Sequence, residues 1–168
     1  MGIDVQIRRA RTGDVRAIRA LVDAYTGDRR LLGKATVTLY EAVQEFWVAV
    51  DDDDRVLGCG ALHVMWEDLA EIRTVAVDRA HRGRKIGHQL VSRLLDQARE
   101  LGVARVFCLT FETRFFSSFG FTEIDGAPVP HVVYEQLLRS YDEGVAEFLE
   151  LERVKPNTLG NTRMLLHL

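Results

Sequence analysis

The stretch RAHRGRKIGH, Arg79 to His88, gathers the cations Arg79, Arg82, Arg84 and Lys85 around two glycines, Gly83 and Gly87. Residues of these types suit the binding of an anion. A loop that opens a helix leaves the first backbone N–H groups without intrahelical partners, and the helix dipole adds partial positive charge at the same end. Glycines let backbone approach a bulky anion closely, and the cations raise the potential around it. Phosphate is the natural candidate. Taken alone, the loop also fits a solvated basic turn that only caps a helix, because glycine-rich phosphate patterns are weak in isolation.

The elements that must position this loop lie on either side of it. AEIRTVAV reads as a strand leading in, and the segment from Arg84 to Leu101 puts Ile86, Leu90, Val91, Leu94, Leu95, Ala98 and Leu101 on one face of a long helix that Gly102 stops. Nearer the N-terminus, VQIRRA reads as an edge strand. TGDVRAIRALVDAY reads as a helix with Val15, Ile18, Leu21, Val22 and Tyr25 at helical spacing behind Thr12 as N-cap. GDRRLLGKAT reads as a loop, and VTLYEAVQ as a short helix carrying Leu39, Val43 and Phe46 on one face. FWVAV and RVLGCGALHVM form a hairpin across DDDD. Those four aspartates lack the spaced ligands, glycine and distal glutamate of a calcium loop and read as a solvated turn. Downstream follow the strand RVFCLTF, the short helix RFFSSF closed by Gly120, the strand FTEI, and a helical region from Pro130 to Leu151 with Val133, Leu137, Leu138 and Tyr141 on one face. TRMLLHL closes the chain as a strand. Trp47, Trp66, Phe111, Phe115 and Phe119 fall on core-facing patterns and are assigned to packing. Without an internal repeat, low-complexity tract or linker, the pattern predicts one mixed α/β domain over residues 1–168.

A chain of 168 residues, 47% hydrophobic and 28% charged, suits a single globular domain with a full core. Its 22 Lys and Arg against 25 Asp and Glu give a net charge of −3, so the basicity is local and the balance argues against a general nucleic-acid binder. No apolar run reaches signal-peptide or membrane-span length, and Gln6 stands where a myristoylation signal needs Ser or Thr. Cys59 and Cys108 have no C-x-x-C spacing and read as small buried hydrophobes in a reducing compartment. The histidines form no H-E-x-x-H or other tight pair. The expectation is a cytoplasmic, metal-free protein with no nucleic-acid or membrane partner.

The order of strand EIRTVAV, loop DRAHRGRKIG, long helix, strand RVFCLTF and segment FFSSFGF resembles the GNAT superfamily of acyl-CoA-dependent N-acetyltransferases, whose signature loop is [QR]-x-x-G-x-[GA]. Here that loop is Arg82, Gly83, Arg84, Lys85, Ile86, Gly87, with Lys85 in place of the first signature glycine and expected to take ordinary backbone angles. The resemblance implies a single GNAT-like α/β (α+β) domain with a mixed, mostly antiparallel central sheet and helices on both faces. It implies acetyl-CoA as cosubstrate, with backbone amides from Gly83 to His88 on the pyrophosphate. The strand at Thr74, Val75, Ala76 and Val77 would then pair with the pantetheine arm. LYEAVQEFWVA, GCGALHV, AEIRTVAV, VFCLTFETRFFSSFGFTEI and KPNTLGNTRMLL are similar to the short, single-domain N-acetylglutamate synthases of actinobacteria, a family of arginine biosynthesis. The longer synthases carry an additional amino-acid-kinase domain.

The reaction so implied is attack of the α-amine of L-glutamate, with glutamine as an alternative acceptor, on the acetyl thioester. It requires proton removal from the amine, donors for the tetrahedral oxyanion and a proton for the thiolate. The resemblance points to Glu71 as base, with Glu67 in reserve, and to the Val75 amide at the carbonyl oxygen; a surface salt bridge is the other reading of Glu71. Phe116 stands where many members carry a tyrosine acid, which leaves solvent, Ser117, Tyr134 or no dedicated acid. Substrate carboxylates call for cations. Lys34, Arg73 and Arg163 are the candidates, with Thr74 making a backbone contact. Arg73 is a cation in a strand of small and apolar residues, where a cleft-facing position needs an anionic partner and an outward one does not. The competing functions are a protein N-terminal acetyltransferase of the same superfamily and a non-catalytic acyl-CoA-binding regulatory module. The superfamily also admits a homodimer.

Overall fold

The structure, a computed structural model, describes residues 4–26 and 35–168. Among them, seven strands follow the order β1-β2-β3-β4-β5-β7-β6. They are β1 (Gln6–Arg9), β2 (Phe46–Val50), β3 (Val56–Trp66), β4 (Leu69–Val77), β5 (Arg105–Thr110), β6 (Thr122–Glu123) and β7 (Thr162–His167). β1 with β2, β2 with β3, β5 with β7 and β6 with β7 are antiparallel, while β4 and β5 are parallel. The helices are α1 (Val15–Thr26), α2 (Thr36–Glu41), α3 (Ile86–Leu101), α4 (Thr113–Ser117), α5 (His131–Leu137) and α6 (Glu143–Phe148). The sheet is mixed and mostly antiparallel, as expected.

The chain divides into two compact units, Met1–His63 with Ile72–Gly102, and Val64–Glu71 with Val103–Leu168. In the first unit, Val15, Ile18, Leu21, Val22 and Tyr25 of α1 pack with Leu39, Phe46, Val48, Val50, Cys59, Ala61 and Ala76. The helical spacing of α1 therefore marks its buried face. The helix start is displaced from the expected Thr12: a single 3₁₀ turn, Thr12–Asp14, precedes α1, and Asp14 Oδ2 accepts the Arg11 N–H at 2.7 Å. Gly58 and Gly60 belong to the other parity of β3. A Cβ built on either would lie 3.0 Å from a leucine of α3, Leu90 or Leu94. This portion of sheet thus has helices on both faces. The expected face of α3 is buried from Ile86 to Ala98, but Leu101 is 53% exposed because the helix turns out at Gly102, φ +84. VTLYEAVQ is α-helical only as far as Glu41, a 3₁₀ turn Val43–Glu45 follows, and Phe46 opens β2.

In the second unit, Met65, Leu69, Phe107, Leu165, Leu137, Val145, Phe148 and Leu149 form one core under α5 and α6. The expected unbroken helical region from Pro130 to Leu151 is divided, because Asp142 Oδ1 accepts the Val145 N–H at 2.9 Å and starts α6 afresh. Tyr141, in the break, is fully exposed rather than on the apolar face. Of the five aromatics assigned to the core, Trp47 is buried; Trp66, Phe115 and Phe119 are half-buried, and Phe111 is exposed. The aspartate turn is local, with Asp51 Oδ1 accepting the Asp53 and Arg55 N–H groups at 3.0 and 2.9 Å. Among the described residues no helix is long and apolar enough to cross a membrane, and no group of His, Cys, Asp or Glu is placed to hold a metal ion.

Candidate active site

β4 ends at Val77, and the chain turns at Asp78. Its N–H reaches the Leu57 carbonyl at 2.8 Å, and its Oδ1 accepts the Ala80 N–H at 2.9 Å, which starts the 3₁₀ turn Arg79–His81. Gly83 follows at φ +78 and Lys85 at φ +61. Lys85 therefore does not take ordinary backbone angles: it occupies the left-handed region that glycine fills in the signature loop, because α3 must start immediately after it. No side chain among the described residues caps α3. Its first backbone bond runs from Gln89 N–H to the Lys85 carbonyl at 3.1 Å, so the amides of Ile86 and Gly87 lie ahead of it. Arg82, Arg84, Lys85 and His88 are exposed. The loop thus has an uncapped helix start, left-handed turns and cations at one place, as an anion site requires.

Within β4, Thr74 has φ +58, an outlier for a β-branched residue and a strained turn inside a strand. Its carbonyl accepts the Cys59 thiol at 3.4 Å. Burial pushes that thiol up to about 12, so it keeps the proton it donates. At the strand end the Val77 carbonyl accepts the Tyr25 hydroxyl at 2.5 Å. Ala76 is buried, and Val75 and Val77 are half-buried. The parallel register of β4 with β5 covers Leu69↔Arg105, Ala70↔Val106 and Glu71↔Phe107, and the strand continues beyond it through Val77.

Glu71 is 4% exposed, which removes the surface salt bridge as its explanation; Glu67 is exposed in the turn before β4. The Glu71 charge acts on Cys108, whose thiol is raised well above its ordinary range by burial first and Glu71 second. Arg73 is half-buried. Arg163 differs from expectation. Its guanidinium donates to the Gly126 carbonyl at 3.2 and 2.8 Å, to Glu147 at 3.1 Å and to Phe148 at 2.5 Å, and lies 5.0 Å from the Phe107 ring centre. With four donor contacts on backbone carbonyls it pins β7 to the end of α6, which is not the posture of a carboxylate receptor. Burial lowers its pKa, against the opposing charges of Glu150, Glu71 and Asp125. Phe116 is buried against Phe121, ring centres 5.3 Å apart. Lys34 lies outside the described residues. Tyr25, read in the sequence only as core, has its hydroxyl at the strand end. Its position in the last turn of α1, with a polar tip on an apolar face, was the available signal.

The profile of the acetyltransferase (GNAT) family matches residues 16–121. The chain belongs to the GNAT acetyltransferase family. An amino-acid acetyltransferase of Mycobacterium tuberculosis is 64% identical over 162 residues, covering 95% of this chain and 92% of that protein. The crystal structure of Rv2747 from Mycobacterium tuberculosis, in complex with CoA and NLQ, superposes with a TM-score of 0.94 at 63% identity over 97% of this chain and 99% of that one. An amino-acid acetyltransferase of Neisseria meningitidis is 32% identical over 70% of the chain, which spans 27% of that longer relative. A GNAT fold accounts for the parallel β4–β5 pair beside antiparallel strands.

Proposed function

We propose that this protein transfers the acetyl group of acetyl-CoA to the α-amine of L-glutamate, with L-glutamine as the acceptor to be distinguished from it. The observation that carries the reading is the uncapped start of α3 behind Gly83 and Lys85, both left-handed, in a chain 64% identical to an amino-acid acetyltransferase. Backbone amides from Gly83 to His88, with Arg82, Arg84 and Lys85 around them, hold the pyrophosphate. Val75, Ala76 and Val77, beyond the β5 register, pair with the pantetheine arm. The Val75 N–H then stabilises the oxyanion.

Glu71 takes the proton from the amine, directly or through one water. It precedes Val75 on the same strand, and it is buried, as suits a base acting in a site from which bulk water is excluded. Phe116 cannot donate a proton to the leaving thiolate; a thiolate is a good enough leaving group to take its proton from solvent. Arg73 and Lys34 are assigned to the acceptor's carboxylates and Thr74 to a backbone contact. The free, buried Cys59 and Cys108 fit a cytoplasmic setting.

Incubation with acetyl-CoA and a panel of free amino acids, following thiol release and product mass, tests the assignment. Turnover confined to L-glutamate, yielding N-acetylglutamate, is expected. A preference for glutamine revises the carboxylate pocket. Turnover of peptides but of no free amino acid, or acetyl-CoA binding with no turnover, overturns the proposal.

A further inference from the structure

We infer that Tyr25 is a positioning residue for the cosubstrate, holding the end of β4 with its hydroxyl and the guanidinium groups of Arg79 and Arg82 with its ring. The inference rests on the reading of the Arg82–Gly87 loop as a phosphate site. Tyr25 is 7% exposed, in the last turn of α1. Its hydroxyl donates to the carbonyl of Val77, the last residue of β4, at 2.5 Å. The guanidinium carbon of Arg79 stands 4.6 Å from the ring centre and that of Arg82 5.4 Å. Arg79 Nη2 also donates to the Ala24 carbonyl at 2.9 Å, in the last turn of α1, where the helix dipole favours a cation. One aromatic ring therefore joins the end of the pantetheine strand to two cations of the loop.

The Asp78 side chain accepts the Ala80 N–H at 2.9 Å and stands 3.8 Å from His81 Nδ1. Arg82 has no ion pair among the described residues. Two guanidinium groups on one ring repel each other, and an arriving phosphate relieves that repulsion. Stacking also removes the rotamer freedom that a flexible arginine otherwise loses when the ligand binds. A buried tyrosine needed only for packing has no use for two cations over its face. Leucine at this position keeps most of the apolar burial but supplies no π face and no hydroxyl; phenylalanine removes only the hydroxyl.

The test compares acetyl-CoA with S-acetylpantetheine, which has the same thioester arm and no phosphates. For Tyr25→Leu, kcat/KM for acetyl-CoA is expected to fall about tenfold, the scale of losing cation–π contacts to two arginines. The fall for S-acetylpantetheine, which feels only the loss of the hydroxyl's hold on the strand end, should be about threefold, and the KM for the amino-acid acceptor should stay within about twofold. Equal losses with both thioesters, or no loss with acetyl-CoA, overturn the inference. A wild-type enzyme that uses the two thioesters equally well refutes the phosphate reading itself, a separate failure. Should Tyr25→Leu not fold, Tyr25→Phe decides: a rise of about threefold in KM for acetyl-CoA supports the hydroxyl's hold on the strand end, and an unchanged KM overturns it.

Discussion

Lys85 carries a side chain where the backbone asks for none. At φ +61 its Cβ crowds the following carbonyl, a conflict worth on the order of 1 kcal/mol that glycine avoids. The position cannot relax to ordinary angles, because the first turn of α3 begins at the next residue. Lys85→Gly is therefore expected to raise the free energy of unfolding by about 1 kcal/mol in urea titrations at neutral pH. Lys85→Ala, which removes the charge but keeps the Cβ, should give no such gain. If the glycine variant were no more stable than the parent, the left-handed conformation would not be a source of strain.

At the scale of elements, the approach of α3 to β3 depends on Gly58 and Gly60. A Cβ at Gly58 would meet Leu90 Cδ1 at 3.0 Å, Ile86 Cγ2 at 3.1 Å and the Ala76 carbonyl oxygen at 3.3 Å, whereas at Gly60 it would meet the side chains of Leu94 at 3.0 Å and Val75 at 3.4 Å. Backbone yields less than the tip of a leucine. Gly58→Ala is expected to cost about 2 kcal/mol and Gly60→Ala about 1 kcal/mol, measured by urea unfolding. Because Ile86 opens α3, behind the loop proposed to hold the pyrophosphate, Gly58→Ala should also raise the KM for acetyl-CoA by more than Gly60→Ala does. Equal effects on both quantities would mean that α3 shifts as a rigid body. Elements of this kind were legible in the sequence where one face is buried: the spacing of α1 identifies its core residue by residue, and that of α3 does so from Ile86 to Ala98. Illegible were the features that depend on backbone conformation or on a side chain bonding to backbone. The Asp142 cap divides a region whose apolar spacing continues across it, and neither the left-handed Lys85 nor the strained Thr74 leaves a trace in periodicity. Whether Glu71 faces inward was not legible because Leu69 to Ile72 are buried without alternation, which defeats the period-two rule for facing. Arg163 looked like a receptor for a carboxylate because residue type alone does not tell whether carbonyls already occupy a guanidinium.

For the whole molecule, stability should depend on pH through one cluster that joins β1, the turn before α1 and the hairpin after β2. Arg8 grips Asp14 with both ends of its fork, at 2.8 and 3.0 Å, and reaches Asp54 at 3.1 Å. Asp14 also takes the Arg11 N–H at 2.7 Å. The Arg8 hydrogen bonds, ahead of the opposing effect of burial, hold the Asp14 carboxyl below its ordinary value. The folded state then binds fewer protons than the unfolded state in the interval between the two pKa values, so stability rises with pH across it. The contribution is complete above the unfolded value, about pH 4, and disappears as pH falls through the lower folded value. Asp14→Asn leaves Arg8 half-buried with one partner fewer and should cost about 2 kcal/mol at neutral pH. Urea unfolding of both proteins from about pH 7 down to about pH 3 should show the gap narrowing below about pH 4. A gap near zero across that range would mean that the backbone bond to Arg11, which an amide oxygen can also accept, holds this corner and that the charge pair does not.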